Sequence, residues 1–397
     1  MNAWYSRSAR WVAAVVVIAV ALLAYWRFFE REEIQPGAGF GPSTKGLLSR
    51  GGDDVEGYAR VLGPRDFSFP VDHGPHDDYK AEWWYFTGNL DGPDGRRFGY
   101  ELTFFRFALA PRPVASGSAW RSNQLYMAHF ALTDVKNGRF RSFERFSRAA
   151  LGLAGANSDR LQVWLYDWSA SAVDTAGFPL TLHAATDDIG IDLTLDSGKP
   201  MVLHGQGGFS RKSREAGQAS YYYSFTRLPT MGTVRIDGRT YQVRGDSWMD
   251  REWSTSALAA EQAGWDWFAL QLSDGRDLMF YRLRRKDGTA DPFSAGTLVN
   301  AGGTALPLGH DAVRIREQSE WRSPRTGARY PAGWLLILPE YDLELVVEPV
   351  VGDQELDVTF KYWEGAVNVR GTSQGEPVSG WGYVELTGYV PSDDDGE

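Results

Sequence analysis

The chain of 397 residues contains no cysteine. That excludes disulfides, thiol catalysis, cysteine-ligated metals and a lipidated cysteine anchor. Histidine is sparse, with six residues, so few imidazoles are available for metal or acid–base centres. Positive charge is also in deficit: 41 Lys and Arg stand against 51 Asp and Glu, a net charge of −10. A chain without a basic face is a poor partner for nucleic acid, and none is expected. Helical periodicity is nearly missing. Beyond the N-terminus only "STSALAAEQAG" looks helical, with Ser254 to Ser256 as caps and Gly264 as the stop.

One long apolar run exists. "WVAAVVVIAVALLAYW" (11–26) follows Arg7 and Arg10 and precedes "RFFEREE". With Phe28 and Phe29 it reaches the roughly 20 residues that a spanning helix needs. The basic flank keeps the N-terminus in the cytoplasm and sends the rest across. The competing reading is a cleavable signal peptide, because Ala19-Val20-Ala21 has the A-x-A pattern. Either way the protein is exported, and the expectation is a single pass in the inner (cytoplasmic) membrane with the bulk of the chain in the periplasm. The expected segments are 1–29 as anchor or signal, 30–60 as a Gly/Pro/Ser-rich tether, β domains at 61–245 and 246–391, and an acidic tail at 392–397.

Aromatic residues are abundant: 16 Trp, 18 Tyr and 21 Phe. From residue 61 onward the texture is β. In "IGIDLTL" (189–195) and "YDLELVV" (341–347) apolar and polar residues alternate, the period-2 mark of a half-buried strand. "TLDSGKP", "VKNGRF", "RIDGRT" and "RKDGTA" supply turns between such runs. Many short antiparallel strands imply an all-β sandwich or barrel. "EWWYFTGNLDGPDGRRFGYELTFFR" (82–106) is echoed by "GWDWFALQLSDGRDLMFYRLR" (264–284), each an aromatic strand, an Asp/Gly turn and a second apolar strand ending in arginine. This reads as a duplicated hairpin in two similar β domains.

Strand parity refines the echo. Glu82 shares a face with Trp84, Phe86 and Leu90, and Arg106 with Phe98, Tyr100, Leu102 and Phe104. In the second copy Asp266 lies with Phe268 and Leu270, and Arg282 with Leu278 and Phe280. A charge aimed at an apolar face must pair or hydrogen-bond. Arg106 and Arg282 are therefore both expected to be desolvated, with Glu82 and Asp266 as partners, serving as structural locks or as a clamp for a ligand head group. Trp83, Trp84 and Tyr85 beside Glu82 suit the wall of a large apolar site and equally a large core.

"GDSWMDREWSTS" (245–256) holds the densest chemistry. Asp250 and Glu252, beside Trp253, are candidate acids, because a carboxyl near tryptophan can stay protonated at neutral pH. The alternative is an ion network at a domain junction. Arg251 between the two acids should favour their ionised forms, which are poor proton donors to carbon. In "VDHGPHDDY" (71–79), His73, His76 and three aspartates could ligate a divalent metal, but Gly-Pro makes this a loop and the next histidine is His129. His129, within "MAHFALTD", reads as a satisfied core histidine. "GTSQG" (371–375) has the spacing of a hydrolase elbow, yet no histidine follows His310, so it reads as a turn.

Together "FPVDHGPHDDYKAEWWYFTGNL", "GYELTFFR", "MAHFALTD", "SWMDREWSTS", "GWDWFALQL", "KYWEGAV" and "GYVELTGY" resemble the AttH-like family, over roughly residues 58–391. The resemblance implies two lipocalin-like β-barrel domains and kinship with the carotenoid 1,2-hydratases. Some members hydrate the terminal alkene of carotenoids, related fungal proteins act as pericyclases, and many bacterial members accompany an ABC transporter with an FtsX-like permease. Hydratase-type members carry histidine where this chain has Arg251, and Tyr and Asp where it has Tyr281 and Arg282. The expectation is an exported, membrane-anchored protein that binds a lipid or isoprenoid-like molecule beside an ABC transporter and needs no cofactor. A lyase, hydratase or isomerase acting on a polyene is the alternative, with Asp250, Glu252 or Asp266 as acid. The expected ligand-binding residues are Trp83, Trp84, Tyr85, Arg106, His129, Arg251, Trp253, Trp265, Trp267, Tyr281 and Arg282.

Overall fold

Alternating burial runs along strand after strand, as the period-2 pattern requires. The computed structural model describes residues 55–112, 122–175, 177–256 and 258–390. The expected anchor at 1–29, the tether up to residue 54 and the acidic tail lie outside these residues. No helix among the described residues is long and apolar enough to cross a membrane.

The strands form two antiparallel sheets. The first begins with β1 (Ala81–Asp91), β2 (Arg97–Ala108), β3 (Gln124–Asp134) and β4 (Arg139–Arg148). It continues through β5 (Ala154–Asn157), β6 (Gln162–Leu165), β7 (Trp168–Ala172), β8 (Leu180–Ala185) and β9 (Ile189–Leu195). Two short strands, β10 (Val202–Leu203) and β11 (Phe209–Arg211), precede the long β12 (Ala219–Ile236) and β13 (Arg239–Ser254). The second sheet opens with β14 (Gln262–Leu272), β15 (Asp277–Arg285), β16 (Ala295–Val299), β17 (Ala305–Leu308) and β18 (Arg314–Arg322). It ends with β19 (Arg329–Leu338), β20 (Leu343–Pro349), β21 (Glu355–Leu356), β22 (Tyr362–Ser373) and β23 (Glu376–Leu386). The spatial order is β4-β3-β2-β1-β13-β12-β9-β8-β7-β6-β5 in the first sheet and β17-β16-β15-β14-β23-β22-β20-β19-β18 in the second. The first curls into a nearly closed barrel and the second into a half-barrel.

Two expectations are corrected here. β13 runs through the division placed at 245/246 and belongs wholly to the first sheet, so the chain changes sheets between Ser254 and Gln262. "STSALAAEQAG" is not a helix. Its first residue ends β13, Gln262 already starts β14, and the described residues between them form bends and a turn. Strand pairing on both sides outweighs the helical propensity of a few alanines, because isolated short helices are marginal.

The duplicated hairpin is present. β1 pairs with β2, placing Glu82 opposite Arg106, and β14 pairs with β15, placing Asp266 opposite Arg282. Asp94 (φ 56°) and Gly95 (φ 68°) turn the first hairpin, and Gln374 and Gly375 close the "GTSQG" hairpin between β22 and β23. Each sheet buries one face in its own core. Trp84, Phe86, Leu102 and Phe104 fill the first, and Phe268, Leu270, Trp334 and Leu345 the second.

The opposite faces of β1, β12, β13, β14, β15, β22 and β23 meet in a third cluster containing Tyr85, Tyr222, Trp248, Trp267, Tyr281, Ala366 and Tyr383. Polar bolts hold this junction. Asp277 takes Lys199 Nζ and Arg227 Nη2, each at 2.6 Å, and Thr133 donates to Gln354 at 2.8 Å. At Gly99 the sheets approach so closely that a Cβ would lie 2.6 Å from the Ala366 Cβ. A hydrogen is the only side chain that fits there without a shift.

The lead-in 65–79 packs onto the first barrel. His73 Nδ1 meets the Tyr223 hydroxyl at 2.6 Å, and the His76 ring stacks on Trp253 at 3.8 Å. Burial drops the His73 imidazole to about 4, so it is neutral. His76 also meets Asp72 at 3.2 Å and Glu82 at 3.1 Å, and among the described residues no group of three or more His, Asp or Glu is arranged to hold a metal ion.

Candidate binding cleft between the two sheets

Successive strand residues point to opposite faces, so each aromatic or acidic run divides in two. On β1, Trp84 and Phe86 enter the first core, whereas Trp83 and Tyr85 line a cleft of about 190 Å³ between the sheets. On β13 the "DREW" run divides likewise: Asp250 and Glu252 line the cleft, and Arg251 and Trp253 are buried on the other side. Across the first sheet Asp250, Tyr85, Thr103 and His129 stand side by side in register. Across the second, Tyr281, Trp267, Glu385 and Glu364 do the same. The rows face each other, the Tyr85 ring meeting Trp267 edge-on at 5.2 Å.

Asp250 is 4% exposed and accepts three hydrogen bonds. They come from the Tyr222 hydroxyl at 2.5 Å, Trp248 Nε1 at 2.7 Å and the Ser224 hydroxyl. Burial pushes its carboxyl up to about 7, against those donors and with help from Glu252. It therefore exchanges a proton near neutrality. Behind it, His204 joins Ser224 Oγ at 2.6 Å and Thr297 Oγ1 at 2.9 Å. Burial holds His204 down near 3, in its neutral form. Beside Asp250, Glu252 pairs with Lys212 at 3.3 Å, and the Lys212 ammonium sits 3.9 Å from the Tyr281 ring centroid. Burial opposes the Lys212 charge, yet Glu252 keeps this ammonium protonated beyond the ordinary lysine range.

A second polar group lies further along. Glu364 and Glu385 are direct cross-strand partners, and Glu101 emerges from β2 on the face that carries Thr103 and Phe105. Burial raises all three carboxyls: Glu385 to about 8, Glu364 well above the usual range, with mutual repulsion adding to burial in both. At this edge His129 connects the Tyr362 hydroxyl (2.7 Å) to Glu144 (2.9 Å).

The residues singled out from the sequence thus part company. Trp83, Tyr85, His129, Asp250, Glu252, Trp265, Trp267 and Tyr281 come together in the cleft. Trp84, Arg106, Arg251 and Trp253 do not; the two arginines clasp Glu82 inside the first barrel. Burial opposes the Glu82 charge, but Arg106 and Arg251 hold its carboxyl well below the usual range. The expectation that Arg251 keeps Asp250 ionised is thereby corrected, since the two side chains leave opposite faces of the sheet. Asp266 also lies away from the cleft, held by Arg282, Arg284 and Tyr389. Arg106 is fully buried as expected, but the Arg282 side chain is 19% exposed and also reaches Glu317. The second lock is the wetter one because a half-barrel closes less completely around it.

Glu101, Lys212, Tyr222, Ser224, His204, Glu364 and Glu385 were missed. A signal existed for the glutamates. In "GYELTFF", "KYWEGAV" and "GYVELTGY" a lone acid interrupts an apolar strand. Lys212 and His204 come from irregular segments around β10 and β11, where no periodicity marks them.

An all-β protein of two curled sheets, with an aromatic cleft that holds protonatable carboxyls, is what fold and site define. The AttH-like family matches residues 60–389, and the chain belongs to it. An AttH protein from Nitrosomonas europaea is 37% identical, covering 84% of this chain and all of its own, with a TM-score of 0.74. Kievitone hydratase from Nectria haematococca is similar in fold at 15% identity, with TM-score 0.64 and coverage of 84% of this chain and 97% of its own. CghA shares the fold at 14% identity and TM-score 0.50, over 85% of this chain and 98% of its own. No curated protein matches the chain.

Proposed function

We propose that the protein binds a lipophilic, unsaturated molecule in the cleft between its sheets. The observation that carries this is the division of the aromatic runs, which turns Trp83, Tyr85, Trp265, Trp267 and Tyr281 out of both cores and into one shared cavity. Apolar walls with a few convergent polar groups are the ordinary makeup of a small-molecule site.

A second reading, acid–base catalysis on that guest, is favoured by Asp250. A carboxyl that titrates near 7 can protonate an alkene carbon. The resulting cation would lie against indole and phenol faces, which stabilise positive charge. Water would then add to it and give up a proton to the Glu252 carboxylate. The resemblance to a hydratase fold is consistent with this reading. As for setting, the proposal is that the apolar run at 11–26 holds the protein at the inner membrane, serving an ABC transporter with an FtsX-like permease.

Native mass spectrometry of the purified full chain tests binding, with a co-purifying lipophile as the expected result. Incubation with lycopene-type and neurosporene-type polyenes tests chemistry. A product heavier by one water, lost in Asp250→Asn, establishes the lyase. Binding without any mass change leaves a carrier. Binding of no apolar molecule overturns both.

A further inference from the structure

Among the described residues no lysine or arginine pairs with the carboxyls of Glu364 and Glu385, which line the cleft, or of Glu101, buried on the same side of β2; the nearby base is His129. Glu101 is 0% exposed and neither of its oxygens has a hydrogen-bond partner; Glu364 is 1% exposed and its Oε1 has none. A buried acceptor left unsatisfied is costly, so such groups call for an explanation. The nearby cations are engaged elsewhere: Lys212 pairs with Glu252, and Arg97 bonds Asn368 and Asn89. This contrasts with Glu82, which two arginines answer inside the first barrel. The packing of Gly99 against Ala366 and Tyr383 brings β2 up to β22 and β23, one pleat away from Glu101, Glu364 and Glu385. Around them stand Tyr85, Tyr362, Trp265 and Trp267, whose ring faces attract cations.

Resting on the reading of the cleft as a lipophile site, we propose that these three glutamates receive a cationic nitrogen, so that the guest is a lipophilic amine with its ammonium between the carboxyls and its hydrocarbon along the aromatic walls. An ammonium has three donors and no acceptor, which matches the three orphaned oxygens, both of Glu101 and Oε1 of Glu364. An ammonium would draw the protons off these raised carboxyls and pair with them, whereas a carboxylate guest would add one more acid to a set whose ionised forms already repel one another. A hydroxyl could donate to one oxygen and leave the others orphaned, and a ketone has no donor to offer.

Octylamine, octanol and octanoate offered separately to the purified full chain, with tryptophan fluorescence as the readout, test this. Octylamine should bind about tenfold or more tightly than octanol, the value of a charge-assisted hydrogen bond, and octanoate most weakly. In the Glu101→Gln/Glu364→Gln double variant that preference should vanish, with amine affinity falling far more than octanol affinity, and a retained melting transition verifies the fold. Equal binding of amine and alcohol by the wild type, or a preference that survives in the double variant, overturns the amine assignment and leaves the lipophile site standing. If neither octanol nor octylamine binds, the cleft reading itself falls and takes this assignment with it. Should the double variant fail to fold, Glu385→Gln alone carries the test, with partial loss of the amine preference expected.

Discussion

Glu82 on β1 and Glu101 on β2, which pairs with Thr87, are both 0% exposed in paired strands, yet their surroundings are opposite. Glu82 points into the first barrel, where Arg106, Arg251 and His76 meet it and hold it ionised. Glu101 leaves the opposite face, the one that lines the cleft, toward two more acids, and burial raises its carboxyl above the usual range. The backbone treats them alike, and only the parity of the strand tells them apart. One face of the sheet uses a buried charge to fix the fold. The other keeps protonatable groups at a surface that a guest can reach.

The largest test of that contrast is to break the lock. Arg106→Met leaves Glu82 with one arginine fewer in a dry interior and should cost about 3–5 kcal/mol. Arg282→Met should cost only about 1–2 kcal/mol, because Arg282 is partly hydrated and Arg284 and Tyr389 remain on Asp266. Chemical denaturation of both variants reads the difference. Equal losses would mean that the two locks are equivalent and that exposure of the second does not matter.

A pH series sharpens the comparison with a smaller effect. The Glu82 carboxyl is depressed below its ordinary 4.5, so its contribution is present above that value and fades as pH falls beneath it. The Glu385 carboxyl is raised from 4.5 to about 8, so the sign reverses: stability is intact near pH 4.5 and declines as pH rises through 8. Melting temperature should therefore drop on both limbs, and Glu385→Gln should flatten the alkaline one while leaving the acid one in place. An alkaline limb unchanged in Glu385→Gln would mean that this carboxyl titrates normally.

Much of this was legible in the residues. Period-2 alternation, the Asp/Gly turns and the duplicated hairpin point to antiparallel sheets, and counting by twos pairs Glu82 with Arg106. The same counting applied to "DREW" would have separated Asp250 from Arg251. Adjacency in sequence is not adjacency in space along a strand, where successive side chains leave opposite faces. What counting could not provide is which face of a sheet meets another sheet. Both faces of β1 are apolar, so Trp83 and Trp84 look equally internal until β14, β22 and β23 are laid against one of them. The glutamates at 364 and 385 become a pair only through the register of β22 with β23, which no local signal encodes.

The smallest expected effect probes how Asp250 is poised. Neutral His204 fits one direction of hydrogen bonding: Thr297 donates to Nδ1, Nε2–H donates to Ser224 Oγ, and the Ser224 hydroxyl donates to Asp250. Each link leaves the next free to face the carboxylate. Ser224→Ala removes the last donor, which favours the ionised form of Asp250, and strands the His204 N–H. The cost in stability should be about 1 kcal/mol. The more telling change is in titration: with one stabilising donor gone and burial unaltered, the Asp250 midpoint should rise above about 7. Carbon-13 NMR of the aspartate carboxyls across pH 5 to 9 reads it directly. A midpoint that stays put would mean that Ser224 donates elsewhere and that His204 has no hold on the acid in the cleft.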